Sequence, residues 1–371
     1  MRQMKLGEIV AELGPGNDNP RNSEGSFLTL RDGRILFVYS RFKGEKPADW
    51  IPADLWGVTS EDNGYSFGKG SVLLTCEGEG AENIMCPSLM RMENGDMGLF
   101  YLARLTYSRI HMFLRRSSDE GQTWGERILC TPQEGFFVVN NDRVVRLTGG
   151  RILIPAACHR SGEKNGTEPK DGEDIFFDSR SEAVFFFSDD DGNTWEAARG
   201  KCCMPSMRNC ATGLQEPGVL ELSPGILWGY ARTDLGRQYE MFSVDNGNTW
   251  TGAAPSWFTA PNSPLSMKRG PKGSIYAVWN PIPEYTGREK KTGIFTGGRT
   301  PLVLAVSTDN GQTFTEEAAF ETEEDHGYCY CAIHFLEDGM LLAYNGGGPE
   351  DGSCLSRIKI RRILWSELEK L

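Results

Sequence analysis

The sequence predicts an all-β chain, a six-bladed β-propeller of four-stranded antiparallel blades formed by residues 1–371 as one domain. Three observations carry this. Glycine supplies 44 of the 371 residues alongside 19 prolines, which favours frequent turns over long helices, where each interior Gly costs about 1 kcal/mol against Ala. An octapeptide, Ser-x-Asp-x-Gly-x-Ser/Thr-Trp/Phe, recurs five times, at Ser60–Phe67, Ser117–Trp124, Ser188–Trp195, Ser243–Trp250 and Ser307–Phe314. Interleaved with it, six hydrophobic segments follow turns that end in Gly33, Gly95, Gly150, Gly225, Gly273 and Gly339, spaced on average by about one sixth of the chain.

Each unit reads in order as inner strand, glycine turn, second strand, connection, third strand, octapeptide turn and fourth strand. In the octapeptide the Asp carboxylate accepts from nearby backbone N–H groups, Gly takes the positive-φ position, and the aromatic packs the turn back onto the sheet. The sixth unit lacks the octapeptide and ends in Arg357–Leu364, so the segment Lys5–Val10 is expected to complete its sheet and close the ring. Radial blades leave only short, protected edges. Two connections, Arg160–Arg180 and Pro281–Gly298, are long enough to be read as functional loops.

Composition narrows the function classes. No apolar run approaches the ~18 residues of a membrane span, and a net charge of −12 disfavours a phosphate-tracking surface, so neither membrane nor nucleic acid is an expected partner. Met1–Leu13 holds no apolar signal core, and the ten cysteines form no regular framework, which reads as a cytoplasmic protein with reduced thiols. Cys and His spacings do not match a zinc site, the Asp189–Gly192 run lacks the downstream Glu of a calcium loop, and no glycine-rich phosphate loop opens a helix. No metal and no cofactor are expected.

Strand ends supply the candidate site. Nine residues before each turn glycine stand Glu24, Cys86, Asn141, Glu216, Pro264 and Tyr330; six to nine after it stand Arg41, Arg104, His159, Arg232, Asn280 and Asn345. Inner and second strands are joined at one end, so these residues converge at the other, where a pocket is expected.

The octapeptides on a six-unit ring resemble the Asp boxes of the sialidase (neuraminidase) superfamily, the bacterial neuraminidase repeat proteins, over nearly the whole chain. Gln215-Glu216-Pro217 opens an inner strand whose partner ends in Arg232, Arg299 lies eight residues before Ser307, and Tyr330 opens the last inner strand, all as in that family. The resemblance implies an exo-acting glycoside hydrolase that releases a terminal sialic acid or related acidic sugar with retention. Tyr330 would be the nucleophile, Glu216 its base, Arg232 and Arg299 the carboxylate ligands, and Asp54 the acid/base with Asp49 in reserve. The family's first inner strand opens with Arg-Ile-Pro, but Ser23 stands at the Arg position, leaving Arg21, Arg41 or Arg104 as the third arginine, while Glu24 would repel a carboxylate. Asn141 and His159 lie outside the usual set. The chain therefore reads as a divergent branch with a locally basic pocket. Two other readings stand beside it: a hydrolase or lyase acting on another acidic sugar such as a uronic acid, with His159 or a tyrosine carrying the proton, and a non-catalytic carbohydrate-binding propeller.

Overall fold

The computed structural model describes residues 1–163, 175–205, 207–283 and 294–371, and these are all-β apart from one short helix, Trp365–Leu368, and a 3-10 turn at Pro349–Asp351. No helix among them is long and apolar enough to cross a membrane.

The sheets are antiparallel meanders in sequence order. One runs Arg21–Thr29, Ile35–Phe42, Ala53–Ser60, Ser71–Leu74, and another Gln215–Ser223, Ile226–Arg232, Arg237–Ser243, Ala254–Thr259. Between them, nine strands are joined into one sheet in which the meander beginning at Asn83–Arg91 meets the one centred on Ile152–Glu163 and Ile175–Ser188 through a single parallel pair, Phe136 with Ile110. Ser266–Arg269 opens a further sheet, to which Arg2–Gln3 adds a parallel edge. In the last, Cys329–Phe335, Gly339–Asn345 and Ile358–Leu364 are completed by Glu8–Leu13, so the N-terminal segment does finish the final sheet. The connection read as a loop at Arg160–Arg180 is largely strand, because Ile152–Glu163 and Ile175–Ser188 stay paired as far as Glu163 opposite Ile175; its residues 164–174 lie outside the described residues, as do 284–293 of the Pro281–Gly298 connection.

Six apolar clusters lie between successive antiparallel units, one of them between the two units of the nine-stranded sheet. Leu36, Val38 and Leu55 pack on Leu99 and Tyr101; Phe100 and Leu102 on Ile154 and Phe186; Leu153 and Phe185 on Leu227 and Met241. Trp228 and Tyr230 then pack on Ile275 and Ala277, and Val278 and Leu304 on Leu342 and Ile363. The sixth returns to the start, with Phe27 and Phe37 on Leu341 and Ile360. Burial of such side chains contributes about 1.5–3 kcal/mol each, so the packing between sheets outweighs any single turn.

The five octapeptides share one hydrogen-bond pattern. In the first, Ser60 Oγ donates to Asp62 Oδ1 (2.8 Å), Gly64 N donates to Ser60 Oγ (2.8 Å), and Ser66 donates to Asp62 through both its N–H (2.9 Å) and its hydroxyl (2.6 Å). Asp119, Asp190, Asp245 and Asp309 repeat it. The residue before the glycine is left-handed as well: Asn63 and Gly64 have φ 58° and 83°. Arginines latch these turns. Arg91, Arg146 and Arg269, each four residues before a turn glycine, donate to the carbonyl of that glycine and to Glu120, Asp191 and Asn310 of the octapeptides. Arg151 and Arg362 cross between sheets to the backbone carbonyls of Asn246 and Asn63.

Two expectations test this frame. Leu341→Ala, at the seam between last and first sheets, is expected to cost about 2–5 kcal/mol in urea unfolding, as much as Leu227→Ala in the interior; a much smaller loss at the seam would show that the ring opens there first. The hydroxyls of Ser66, Thr123 and Thr313, with the backbone N–H groups of the same residues, hold the Asp62, Asp119 and Asp309 carboxyls down to about 2. Their contribution is fully present above the unfolded value near ~3.9 and is lost as pH falls toward 2. Asp119→Asn and Asp309→Asn are therefore expected to flatten the fall of the urea midpoint between pH 5 and pH 2.

Candidate active site

A repeated backbone irregularity builds the site. At the start of four inner strands one residue is bulged and left-handed: Glu24 (φ 43°), Cys86 (54°), Glu216 (46°) and Tyr330 (59°). Pairing slips at each, between Ser23/Gly25, Met85/Ser88, Gln215/Gly218 and Cys329/Ala332. A bulge re-aims a side chain that regular alternation would send into a sheet-to-sheet contact. All four residues line one depression of about 710 Å³. Close approach of the backbone follows: a Cβ on Gly25 would lie 2.1 Å from the Phe37 ring.

Inside it, Tyr330 Oη donates to Glu216 Oε1 (3.2 Å), which also accepts from Arg232 Nη1 (2.8 Å); Arg232 Nε donates to Asn262 Oδ1 (2.5 Å). Arg299, 3% exposed, donates to Cys329 Sγ (3.0 Å) and to the Asn262 carbonyl (3.3 Å), and its guanidinium lies 5.4 Å from the Tyr330 ring centre. Glu216 Oε2, Glu24 Oε2 and Arg299 Nε are buried with no hydrogen-bond partner among the described residues. Each such atom costs about 1–3 kcal/mol unless a ligand satisfies it.

The structure brings Tyr330, Glu216, Arg232, Arg299, Arg104 and His159 together around the depression. Asp54 is not among them. Its strand begins at Ala53, so Asp54 faces Arg41 across the ladder, accepts from Lys43 Nζ (3.0 Å) and the Cys76 N–H (2.9 Å), and sits in a cluster with Cys76 and Glu77 that the Lys43 ammonium joins. Arg41 lies on that same outward face, stacked 4.2 Å from the Trp56 ring centre, and does not line the depression. Asp49, in the loop before Asp54, reaches the depression instead. Asn141 also stays out: its amide donates to the carbonyls of Gly25 (2.7 Å) and Tyr330 (3.2 Å), bracing first and last inner strands, while Asn140 lines the depression. Arg21 is buried behind the wall, donating to Asp49 Oδ1 (2.5 Å) and Glu24 Oε1 (2.7 Å).

The depression is not locally basic: three guanidiniums, Arg104, Arg232 and Arg299, face three carboxylates, Glu24, Asp49 and Glu216. Sequence reasoning also missed an aromatic collar. Trp50, Phe136, Phe177 and Phe295 line the depression, with Trp50, Phe177 and Phe295 exposed, and no common spacing links them.

Residues 70–342 match the family described as BNR repeat-like domain. An anhydrosialidase of Macrobdella decora is 23% identical over 265 residues, covering 66% of this chain; the chain spans 31% of the length of that relative. Among solved structures, a Hadza microbial sialidase superposes with a TM-score of 0.68 at 16% identity over 93% of this chain and 66% of its own. A protein of unknown function from Dyadobacter fermentans does so with 0.69 at 16% identity over 97% of this chain and 100% of its own. At these identities the likeness to solved structures is one of fold.

Electrostatics divide the titratable groups. Burial pushes the Tyr330 phenol well above its ordinary value, reinforced by Glu216 and opposed by Arg299 and Arg232, so the resting hydroxyl keeps its proton. Burial also lowers His159, whose Nδ1 lies 3.0 Å from the Asp178 carbonyl and so carries the ring proton in the neutral form, leaving Nε2 as an acceptor. Desolvation would raise Asp49, but Arg21, with Arg104 and Arg299, holds it below its ordinary value. The four imidazoles give a direct check by NMR titration. His334 is expected to titrate near 4 and His111 and His159 below the usual value, all through burial, whereas His326, where Asp325 and Glu350 outweigh burial, titrates above it. A His159 midpoint at or above about 6.5 would contradict this account of the depression.

Proposed function

Because the chain belongs to the family of BNR repeat-like domains, and with it to the sialidase superfamily, we propose that it is a single-domain six-bladed propeller acting as a retaining exo-glycoside hydrolase of sialidase type on a terminal sialic acid or related acidic sugar. The cyclic order of the six apolar clusters supports the blade count. The observation that carries the chemistry is the chain of contacts from Tyr330 through Glu216 to Arg232 at the floor of the depression.

A sialic acid bears its carboxylate on the anomeric carbon, so an anionic Asp or Glu nucleophile would be repelled. A phenol that yields its proton to a neighbouring carboxylate as it attacks brings no added charge. In this reading Tyr330 Oη attacks the anomeric carbon as its proton passes to Glu216, and Arg232 and Arg299 hold the carboxylate by charge-assisted hydrogen bonds. Asp49 replaces Asp54 as the acid that protonates the leaving oxygen. The low position of its carboxyl in the free site is set by the nearby arginines, and a bound carboxylate offsets their field and raises it. Water then attacks the glycosyl–tyrosine bond with Asp49 as base, and Tyr330 recovers its proton from Glu216. His159 Nε2, an acceptor at the wall, favours one second reading, proton abstraction from another acidic sugar such as a uronic acid.

A hydrolysis screen with aryl glycosides of sialic and uronic acids tests these readings. Tyr330→Phe is expected to lower kcat about a thousandfold or more while still binding the sugar acid, and Arg232→Ala to lower kcat/KM about a hundredfold. Unchanged turnover in Tyr330→Phe would sink the tyrosine mechanism. Binding without turnover of any glycoside would leave a carbohydrate-binding propeller.

A further inference from the structure

Glu24 is the residue that the family resemblance leaves unexplained. It stands where a carboxylate should repel an acidic ligand, yet its left-handed backbone turns it into the depression, 3% exposed. Its Oε1 accepts from Arg21 Nη2 (2.7 Å), and its Oε2 is buried without a hydrogen-bond partner among the described residues. Arg21 is shared: its Nη1 is taken by Asp49 (2.5 Å). One guanidinium thus serves two carboxylates, and the pair plus its cation keeps a surplus negative charge beside Glu216. We propose that Glu24 binds a proton when a sugar acid occupies the site and donates its hydroxyl hydrogen to the ligand carboxylate, completing with Arg232 and Arg299 the three-point grip that the missing first-strand arginine would have made. The inference rests on the acidic-sugar reading of the site.

The groups facing Glu24 agree with this. From its own strand come Arg21 and the Ser23 hydroxyl, from the loop before the third strand Asp49, from the neighbouring inner strand Cys86, and from across the depression Glu216. Asn345, on the second strand of the last sheet, approaches its backbone N–H (3.5 Å). Burial raises the Glu24 carboxyl, with Asp49 and Glu216 adding to it and Arg21 opposing, whereas Arg21 holds Asp49 down. Of the two carboxylates on one cation, the more buried protonates at the higher pH, ahead of the Asp49 acid. A bound carboxylate adds a further negative charge and strengthens the tendency.

Two measurements on the full chain decide it. In the ligand-free protein, the Glu δ-carbon NMR signal lost in Glu24→Gln is expected to titrate above the ordinary glutamate value of about 4.3; a midpoint at or below that value overturns the proposal. In ligand-observed NMR titrations with N-acetylneuraminic acid and with glucuronic acid from pH 5 to pH 9, affinity is expected to fall about tenfold per pH unit between the Glu24 midpoints of the free and occupied sites. Glu24→Gln, which keeps a donor of the same shape, is expected to bind with a flattened profile, and Glu24→Ala to bind at least about tenfold more weakly at pH 5. Binding with the same profile in wild type and Glu24→Gln overturns the proton uptake alone. Failure of both sugar acids to bind overturns the acidic-sugar reading and the role of Glu24 with it.

Discussion

One backbone constraint organises the site: a non-glycine residue held at positive φ where an inner strand begins. Glu24, Cys86, Glu216 and Tyr330 share it, and each costs on the order of 1–3 kcal/mol. Such a residue persists only where its surroundings over-determine it. Those surroundings are the antiparallel pairing on either side of each bulge and the buried contacts beneath, including the Asn141 amide joining Gly25 and Tyr330. The same backbone solution, applied around the depression with different side chains, presents two carboxyls, a thiol and a phenol.

Charge balance inside the depression follows from that geometry. Side chains aimed at one point repel when alike, so the array is tolerable only in alternation: Glu216 between Arg232 and Tyr330, Arg21 between Glu24 and Asp49. Arg299 has no carboxylate contact among its hydrogen bonds. It leans on Cys329, whose thiol is lowered even though burial would raise it, because Cys354 and Arg299 both favour the thiolate. Arg299, like Arg104 at the wall, thus has a guanidinium to offer an anionic ligand.

The repeats were legible because turn chemistry is local. Ser, Asp, Gly and Thr at fixed offsets state the octapeptide turn, and the turn glycine fixes the distance to the bulge, so a count of nine residues landed on Glu24, Cys86, Glu216 and Tyr330. It failed in the third unit, where the left-handed residue is Asp142 rather than Asn141, because the inner segment there is broken into Phe136–Val138 and Val145–Arg146, and in the fifth, where Pro264 is neither left-handed nor at the depression. Asp54 was misplaced because the start of its strand sets which way it faces, and no local signal marks Ala53 as that start. Trp50 and Phe295 come from separate connections and Phe177 from the start of the long strand Ile175–Ser188, and their reach depends on tertiary packing. The latching arginines did carry a signal, four residues before a turn glycine, but exposed Arg is too common for that spacing to stand out.

The two ends of the sheets divide the work. Inner and second strands meet at the glycine turns, and third and fourth strands at the octapeptides, so both turn families fall at the end away from the depression. That end is over-determined, with five side-chain hydrogen bonds in the first octapeptide alone and arginines spanning turn to turn. The other end carries the bulged positive-φ residues of the inner strands, the orphaned polar atoms of Glu24, Glu216 and Arg299, and the exposed aromatics. A radial assembly can leave one end polar and strained because the inter-sheet cores and the latched turns hold each strand at its opposite end. Substitutions at the depression are therefore free to change its lining without unpicking the fold, which is how one depression holds Tyr330, Glu216, Arg232 and Arg299 beside a buried Glu24.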